Sequence, residues 1–354
     1  MNAPGTHQTI IDRLRVKEKV VVLPDFFLDR IVRLGSQTEF FCLVREKAAA
    51  GGGVIHHIEQ IEMKGGNAVN TAYALGRLGV TTTLITLADK YTEVFLRGTF
   101  DNLPSLDLRV KEGRPGYTVS LEFTRRSRLV NVMLGDTGGV SDFGPERLER
   151  EDRKIIEGAD VTVVLNWAAN LRGTELAEQV FSLSKNNRGM TYCDPSDITV
   201  RGDEYREFIE RIIGQKLVDV LSVNENEARH IAKLQGIEPL KLNYSVSELV
   251  SSSKLLSEYI PTRIDLHTPL ASCTAFNGEA QCAKAFQVEQ RVATGAGDVW
   301  NAANIVGYLL DFGAERRLIF ANAYAALFIS SHYARPPSLT ETLSFLDKRG
   351  MKML

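Results

Sequence analysis

The chain has 354 residues, 44% hydrophobic and 24% charged, a profile that excludes a disordered, collagen-like or simple coiled-coil protein. Its 42 Lys and Arg nearly balance 44 Asp and Glu, and a formal net charge of −2 leaves no global attraction for nucleic acid or an anionic membrane. Cys42, Cys193, Cys273 and Cys282 form no C-x-x-C pair. They read as reduced thiols of a cytoplasmic protein, not as a disulfide framework or a zinc site. The segment from Met1 to Lys19 has no apolar stretch of the secretory kind, and Leu318 to Ile329 is too short to span a bilayer.

The first element is Lys19-Val20-Val21-Val22-Leu23, a continuous apolar run closed by Pro24-Asp25, as expected of a strand buried on both faces of a parallel sheet. Residues 67–78 follow helical spacing and stop at Gly79, a natural C-terminal cap. Thr82–Leu87 reads as the next strand. A second βα series follows: Asp160–Leu165 and a helix over about 173–185, then Met190–Cys193, then Val218–Val223 and a helix over about 225–234. This alternation predicts a doubly wound α/β core with a mainly parallel central sheet flanked by helices. Two segments interrupt the rhythm. Residues 30–64 are too long for a βα loop; Arg45–Gly53 reads as a short helix running into a Gly-rich turn, and Ile55–Ile61 alternates imperfectly. Residues 117–134 read as a hairpin with a basic tip at Arg125, Arg126 and Arg128. Both are expected to pair into a small β-sheet, as a flap, a dimer contact or a lid. The division is then a core of 1–29, 65–112 and 135–354 with lid insertions at 30–64 and 113–134.

Thr294-Gly295-Ala296-Gly297-Asp298 opens the apolar run that reaches Leu310. Small residues let the backbone turn tightly and present several N–H groups together, and the helix that begins there adds the positive end of its dipole, so the segment suits an oxyanion. Asp298 beside such a hole can take a proton from a hydroxyl; the plain alternative is an N-terminal cap over a tight turn. A dinucleotide fingerprint fails, because its third glycine would fall on Trp300. No G-x-x-x-x-G-K-[ST] loop is present. Near the other end, Gly65-Gly66 allows close backbone approach to a ligand. Asn67 and Asn70, at i and i+3, share one side of a first helical turn and suit vicinal hydroxyls. Asp25 and Asp29 follow the first strand, where open α/β sheets collect ligands: Asp29 as a hydroxyl contact, Asp25 equally as a turn residue. Asn224 and Glu227 follow a strand and suit either a hydrated Mg²⁺ or a capping box.

Together these segments resemble the ribokinase-like carbohydrate kinases, the PfkB family: Gly65–Leu87 and Ala293–Leu310 match its two signatures, supported by the Val-Val-Val-Leu-Pro-Asp strand, the Asn-x-x-Glu element at 224–227 and the late helix around Asn322. The resemblance implies an α/β kinase with a β-sheet lid that moves the γ-phosphate of ATP to a sugar-like hydroxyl, with Mg²⁺. It casts Asp298 as catalytic base and Gly295, Ala296 and Gly297 as anion hole. Asp29, Gly66, Asn67 and Asn70 become substrate contacts, and Asn224, Glu227 and Asn322 fall on the nucleotide side, Glu227 touching Mg²⁺ only indirectly. Two departures stand out. Val292 and Ala293 replace the Asp and Thr of the second signature, which weakens the case for a monovalent-cation site. The usual Gly-containing nucleotide turn gives way to Leu266-His267-Thr268-Pro269, where His267 could stack on a nucleotide, bond to it or simply pack. A catalytically silent binding relative and a nucleoside kinase of the same fold are the alternatives. The acceptor can be a free sugar, a phosphosugar or a nucleoside; neither nucleic acid nor a membrane is an expected partner, and a homodimer is.

Overall fold

A computed structural model describes Ile10, residues 19–125, 128–292, 294–332, 334–351 and Met353, side chains at 128 and 129 excepted. The N-terminal segment, Arg126 and Ala293, singled out above, lie outside the described residues.

The large sheet has nine strands: β1 (Lys19–Leu23), β4 (Thr81–Ala88), β5 (Leu106–Glu112), β8 (Val161–Leu165), β9 (Met190–Asp194), β10 (Val220–Asn224), β11 (Arg263–His267), β12 (Ala271–Phe276) and β13 (Glu279–Lys284). Their order is β13-β12-β11-β10-β9-β8-β1-β4-β5, parallel from β5 to β11 and antiparallel over the last two. Strand alternation divides the core: Val20 and Val22 enter one apolar cluster, Val21 and Leu23 the other. Numbering only helices of eight residues or more, α2 (Asn67–Leu78), α3 (Lys90–Phe100), α8 (Ala296–Leu309), α9 (Ala314–Ile329) and α10 (Leu339–Asp347) cover the first face. The opposite face is covered by α4 (Arg150–Glu157), α5 (Gly173–Asn186), α6 (Glu225–Leu234) and α7 (Val246–Tyr259). Among the described residues no helix is long and apolar enough to cross a membrane.

A separate four-stranded sheet, ordered β3-β2-β6-β7, is built from β2 (Phe27–Ser36), β3 (Glu59–Gly65), β6 (Gly116–Arg125) and β7 (Arg128–Asp136). The strand of the first long insertion begins at Glu59, not near Ile55, because β2 sets its register. Arg33 faces Glu59 and Arg30 faces Glu62, each pair joined by an ion pair. The helix there, α1 (Gln37–Ala49), starts well before Arg45 under a Ser36 cap and has no buried residue. One cysteine reading is corrected. Cys273 and Cys282 stand directly opposite each other on the β12–β13 hairpin and form a disulfide, while Cys42 and Cys193 are free. Their partnership is set by strand register and has no local spacing signal.

Helix α8 is fixed to the sheet by a polar ladder as well as apolar packing. Asn301 donates to Asp194 Oδ2 (2.7 Å) and accepts from Tyr192 (2.8 Å) and Ser222 (2.6 Å). One turn on, Asn304 donates to Asp265 Oδ2 at 2.7 Å. That same oxygen accepts from Arg317 at 2.7 Å and Tyr308 at 2.9 Å. Arg317 is 2% exposed and Asp265 fully buried, so removing the cation leaves a buried carboxylate whose lost hydration is offset only by neutral donors such as Asn304 and Tyr308. Arg317→Ala is therefore expected to lower unfolding free energy by about 3–5 kcal/mol in urea titrations; a loss below about 1 kcal/mol would contradict this account.

Candidate active site

The first-turn N–H groups of α2 and α8 have no intrahelical acceptors. At α2 the missing acceptor is Asp25: its carboxylate takes the amide N–H groups of Asn67 (2.8 Å) and Ala68 (2.9 Å) and the Asn166 carboxamide (2.9 Å). Asp25 is fully buried, and that burial pushes its carboxyl above the usual range. It holds the helix. Gly66 has φ +93°, and a Cβ there would lie 2.9 Å from the Asp25 carbonyl oxygen, so only glycine lets the strand-to-helix turn sit this close.

At α8 the chain enters through Gly295 in the left-handed region (φ +78°), and the amides of Ala296 and Gly297 open the first turn. Gly297 faces His267, whose Cε1 would stand 3.1 Å from a Cβ at that position. Asp298 follows, buried at the floor of a cleft of about 410 Å³. Asn70 donates its carboxamide to Asp298 Oδ2 at 2.9 Å, and Thr71 donates to the Asp298 carbonyl at 3.2 Å. Burial drives the Asp298 carboxyl well above the ordinary carboxylate range; the Asn70 bond and Lys64 oppose the rise, and the charges of Asp194 and Asp25 add to it.

Asp29, Gly66, Asn67, Asn70, Gly295, Gly297 and Asp298 all line this cleft, with Lys64, Thr118, Asn166 and Asp194. Burial raises the Asp29 carboxyl to about 6 against a Thr118 hydrogen bond and the Lys64 charge. Its packing needs glycine at 65, where a Cβ would fall 2.2 Å from Asp29 Oδ2. Lys64 has no motif of its own beyond standing before Gly65-Gly66, and Asp194 and Asn166 only end buried strands. Their roles arise from tertiary contacts.

A second cleft of about 550 Å³ lies on the other side of the Gly295–Gly297 turn, lined by Ala296, Trp300, Asn322, Phe286 and Ile329. Asn224, His267, Gly295 and Gly297 line both clefts, so the amide turn stands where they meet. Asn322 accepts from Trp300 Nε1 at 2.9 Å and donates to the carbonyls of Ala283 (3.1 Å) and Lys284 (3.2 Å), so it shapes this wall with its polar atoms already engaged. Asn224 caps α6: its side chain accepts from the amides of Asn226 (2.8 Å) and Glu227 (3.1 Å), and Glu227 closes the box on the Asn224 amide at 2.8 Å. Burial, then the nearby Asp194 charge, raises the Glu227 carboxyl well above its ordinary value. His267 packs on Trp300 (centroids 5.0 Å apart), and burial lowers its pKa, leaving it neutral. Its buried Nε2 has no hydrogen-bond partner among the described residues, with Asp194 Oδ2 at 4.0 Å. In the Leu266-His267-Thr268-Pro269 segment that stands in for the Gly-containing turn, Thr268 closes the turn, donating its hydroxyl to the Ala271 carbonyl at 2.8 Å.

The pfkB family carbohydrate kinase model matches residues 42–341. A ketohexokinase of Haloferax volcanii is 25% identical over 295 residues, covering 79% of this chain and 74% of that protein. An Arabidopsis thaliana ribokinase solved with ribose and ATP superposes with a TM-score of 0.69 at 18% identity, covering 93% of this chain and 98% of that one. An adenosine kinase of Sinorhizobium meliloti gives 0.70 at 18% identity over 93% and 99%.

Asp29 is ionised at neutral pH in both folded and unfolded chains, so its raised folded pKa marks a stability cost present above about pH 6 and relieved as pH falls toward 3.8. Asp29→Asn is expected to stabilise the ligand-free protein at pH 8 by on the order of 1–3 kcal/mol. The gain should shrink toward pH 4, as read by denaturant titration at both pH values; destabilisation at pH 8 would contradict the assignment.

Proposed function

The chain belongs to the pfkB family of carbohydrate kinases, and from that premise we propose that it transfers the γ-phosphate of ATP to a hydroxyl of an unphosphorylated sugar or sugar-like polyol. The observation that carries this reading is the placement of the Asp298 carboxylate in the first cleft, beside the amide turn that borders both clefts. The acceptor occupies the first cleft, where Asp29, Asn67 and Asn70 supply donors and acceptors for hydroxyls. The nucleotide occupies the second and extends its phosphates over the turn. Asp298 takes the proton of the attacking hydroxyl, and the backbone N–H groups of 295–297 hold the oxygens of the transferring group. The small sheet closes over the acceptor and keeps water from competing for the phosphoryl group.

Mg²⁺ fits the residues at the junction of the clefts. Burial and the nearby Asp194 charge raise the cost of ionising Glu227 there, and neither Asp194 nor Glu227 is paired with Lys or Arg among the described residues. Glu227, with Asn224 beside it, would hold a hydrated Mg²⁺ through the ion's waters, and the bound ion would offset phosphate charge. The charge of the first cleft supports a neutral acceptor. Four carboxyl side chains, Asp29, Asp194, Glu227 and Asp298, line it against one Lys or Arg among the described side chains, Lys64. Arg125, at the hairpin tip, is exposed and lines neither cleft.

Asp298→Asn is expected to keep the fold and to cut kcat by on the order of 10²–10⁴-fold; near-normal turnover would remove Asp298 as the base. In a panel assayed with ATP and Mg²⁺, free ketoses, aldoses and polyols should show higher kcat/KM than their monophosphates, and a preference for a phosphosugar would overturn the neutral-acceptor reading.

A further inference from the structure

Lys64 sits on β3, one residue before the Gly65-Gly66 turn, opposite Leu28 of β2. Its ammonium donates to Asn70 Oδ1 at 2.7 Å and lies 4.6 Å from the centroid of the Tyr73 ring. The other end of the same carboxamide, Asn70 Nδ2, donates to Asp298 Oδ2 at 2.9 Å. An ammonium can only donate and an ionised carboxylate can only accept, so the two charges together dictate which way the Asn70 amide faces. Among the described side chains lining the cleft, Lys64 is also the one Lys or Arg.

We infer that Lys64 is a positioning residue for Asp298: through the Asn70 carboxamide it fixes the hydrogen bond that aims the carboxylate, and it sets a positive charge near that buried acid. This rests on the proposed role of Asp298 as base. The groups facing the cluster come from several elements. Asp25, before β2, and Asp194, at the end of β9, press Asp298 toward its neutral form; Lys64, from β3, opposes them. Lys64 itself is flanked by Asp29 of β2, Asp298 of α8 and the Tyr73 ring of α2, and burial lowers its own pKa to about 8.

Without the ammonium, Asn70 Oδ1 loses its donor, the amide is free to turn, and Asp298 holds its proton to higher pH. A base that must be ionised gains activity as pH rises through its pKa, so loss of the cation moves the acidic limb of the rate profile upward.

The test is the pH profile of kcat/KM for the acceptor at saturating ATP and Mg²⁺, in wild type and in Lys64→Met, Lys64→Gln, Lys64→Arg and Asp298→Asn. Lys64→Met is expected to lose about tenfold or more near neutral pH, with its acidic limb displaced upward by about half a unit or more. Lys64→Arg should return the limb to its wild-type place, whereas Lys64→Gln, which keeps a donor but no charge, should leave it displaced. A folded Lys64→Met with the wild-type limb overturns the inference, as does Lys64→Arg with the same displacement as Lys64→Met. Should Lys64→Met not fold, Gln and Arg variants with the same limb overturn it. If Asp298→Asn retains full activity, the base assignment has failed; if it is inactive while the Lys64 variants behave as wild type, only the role of Lys64 has failed.

Discussion

The N-terminus of α8 has to stand where β9, β10 and β11 end, with Asp298 turned toward the cleft. Apolar packing presses α8 onto the sheet but tolerates some rotation about its axis. Asn301 and Asn304, on the sheet-facing side, remove that freedom: each has donors and acceptors that only one rotation satisfies, from Asp194 and Tyr192 at one end to Asp265 and Arg317 at the other. Partly satisfied, such a network would destabilise more than an apolar seam. With both carboxamides engaged, it sets which face of the first turn looks into the cleft.

The cost of this placement appears as buried charge. Asp25, Asp29 and Asp298 all have carboxyl groups held above their ordinary range by burial, and Lys64 has its ammonium held below. Asp25 recovers part of that cost by capping α2, and Asp298 sits at a helix N-terminus, where the backbone dipole favours a negative charge. Asp29 has no helix end and depends on Thr118 and Lys64. The cluster is less stable than a set of apolar residues of the same size would be, the usual relation between a prepared polar site and the fold that carries it.

Much of the core was legible because its signals are local. The run Val20–Leu23 needs no partner to announce a buried strand, and Gly79 ends α2 by its own left-handed conformation (φ +87°). The segments around Asp298 and Asn67 could be read for the same reason: tight turns with short polar side chains carry their geometry in adjacent residues. Asp25 looked equally like a turn residue and a ligand, and only the fold brings the amides of Asn67 and Ala68 to it. Lys64 and Asp194 were missed because nothing beside them in the chain marks them; their meaning comes from residues 228 and 107 positions distant from their relays, Asn70 to Asp298 and Asp194 to Asn301. The Cys273–Cys282 pairing and the start of β3 at Glu59 likewise depend on register between strands.

The same distinction explains how the two sheets are joined. β1 reaches β2 through Pro24, Asp25 and Phe26, and β3 reaches α2 through Gly65 and Gly66, so both links cross at one place. There Gly66 packs against the Asp25 backbone and Asp25 caps α2. Asp29 and Lys64 lie just beyond this crossing on the small sheet, whereas Asn67, Asn70 and Asp298 lie on the core. The bond from Lys64 to Asn70 therefore spans the boundary between the sheets and ends at the carboxylate. A shift of the small sheet that lengthened it would alter the charge around Asp298 without moving α8, so cleft geometry and the surroundings of its acid are mechanically connected through this side-chain contact.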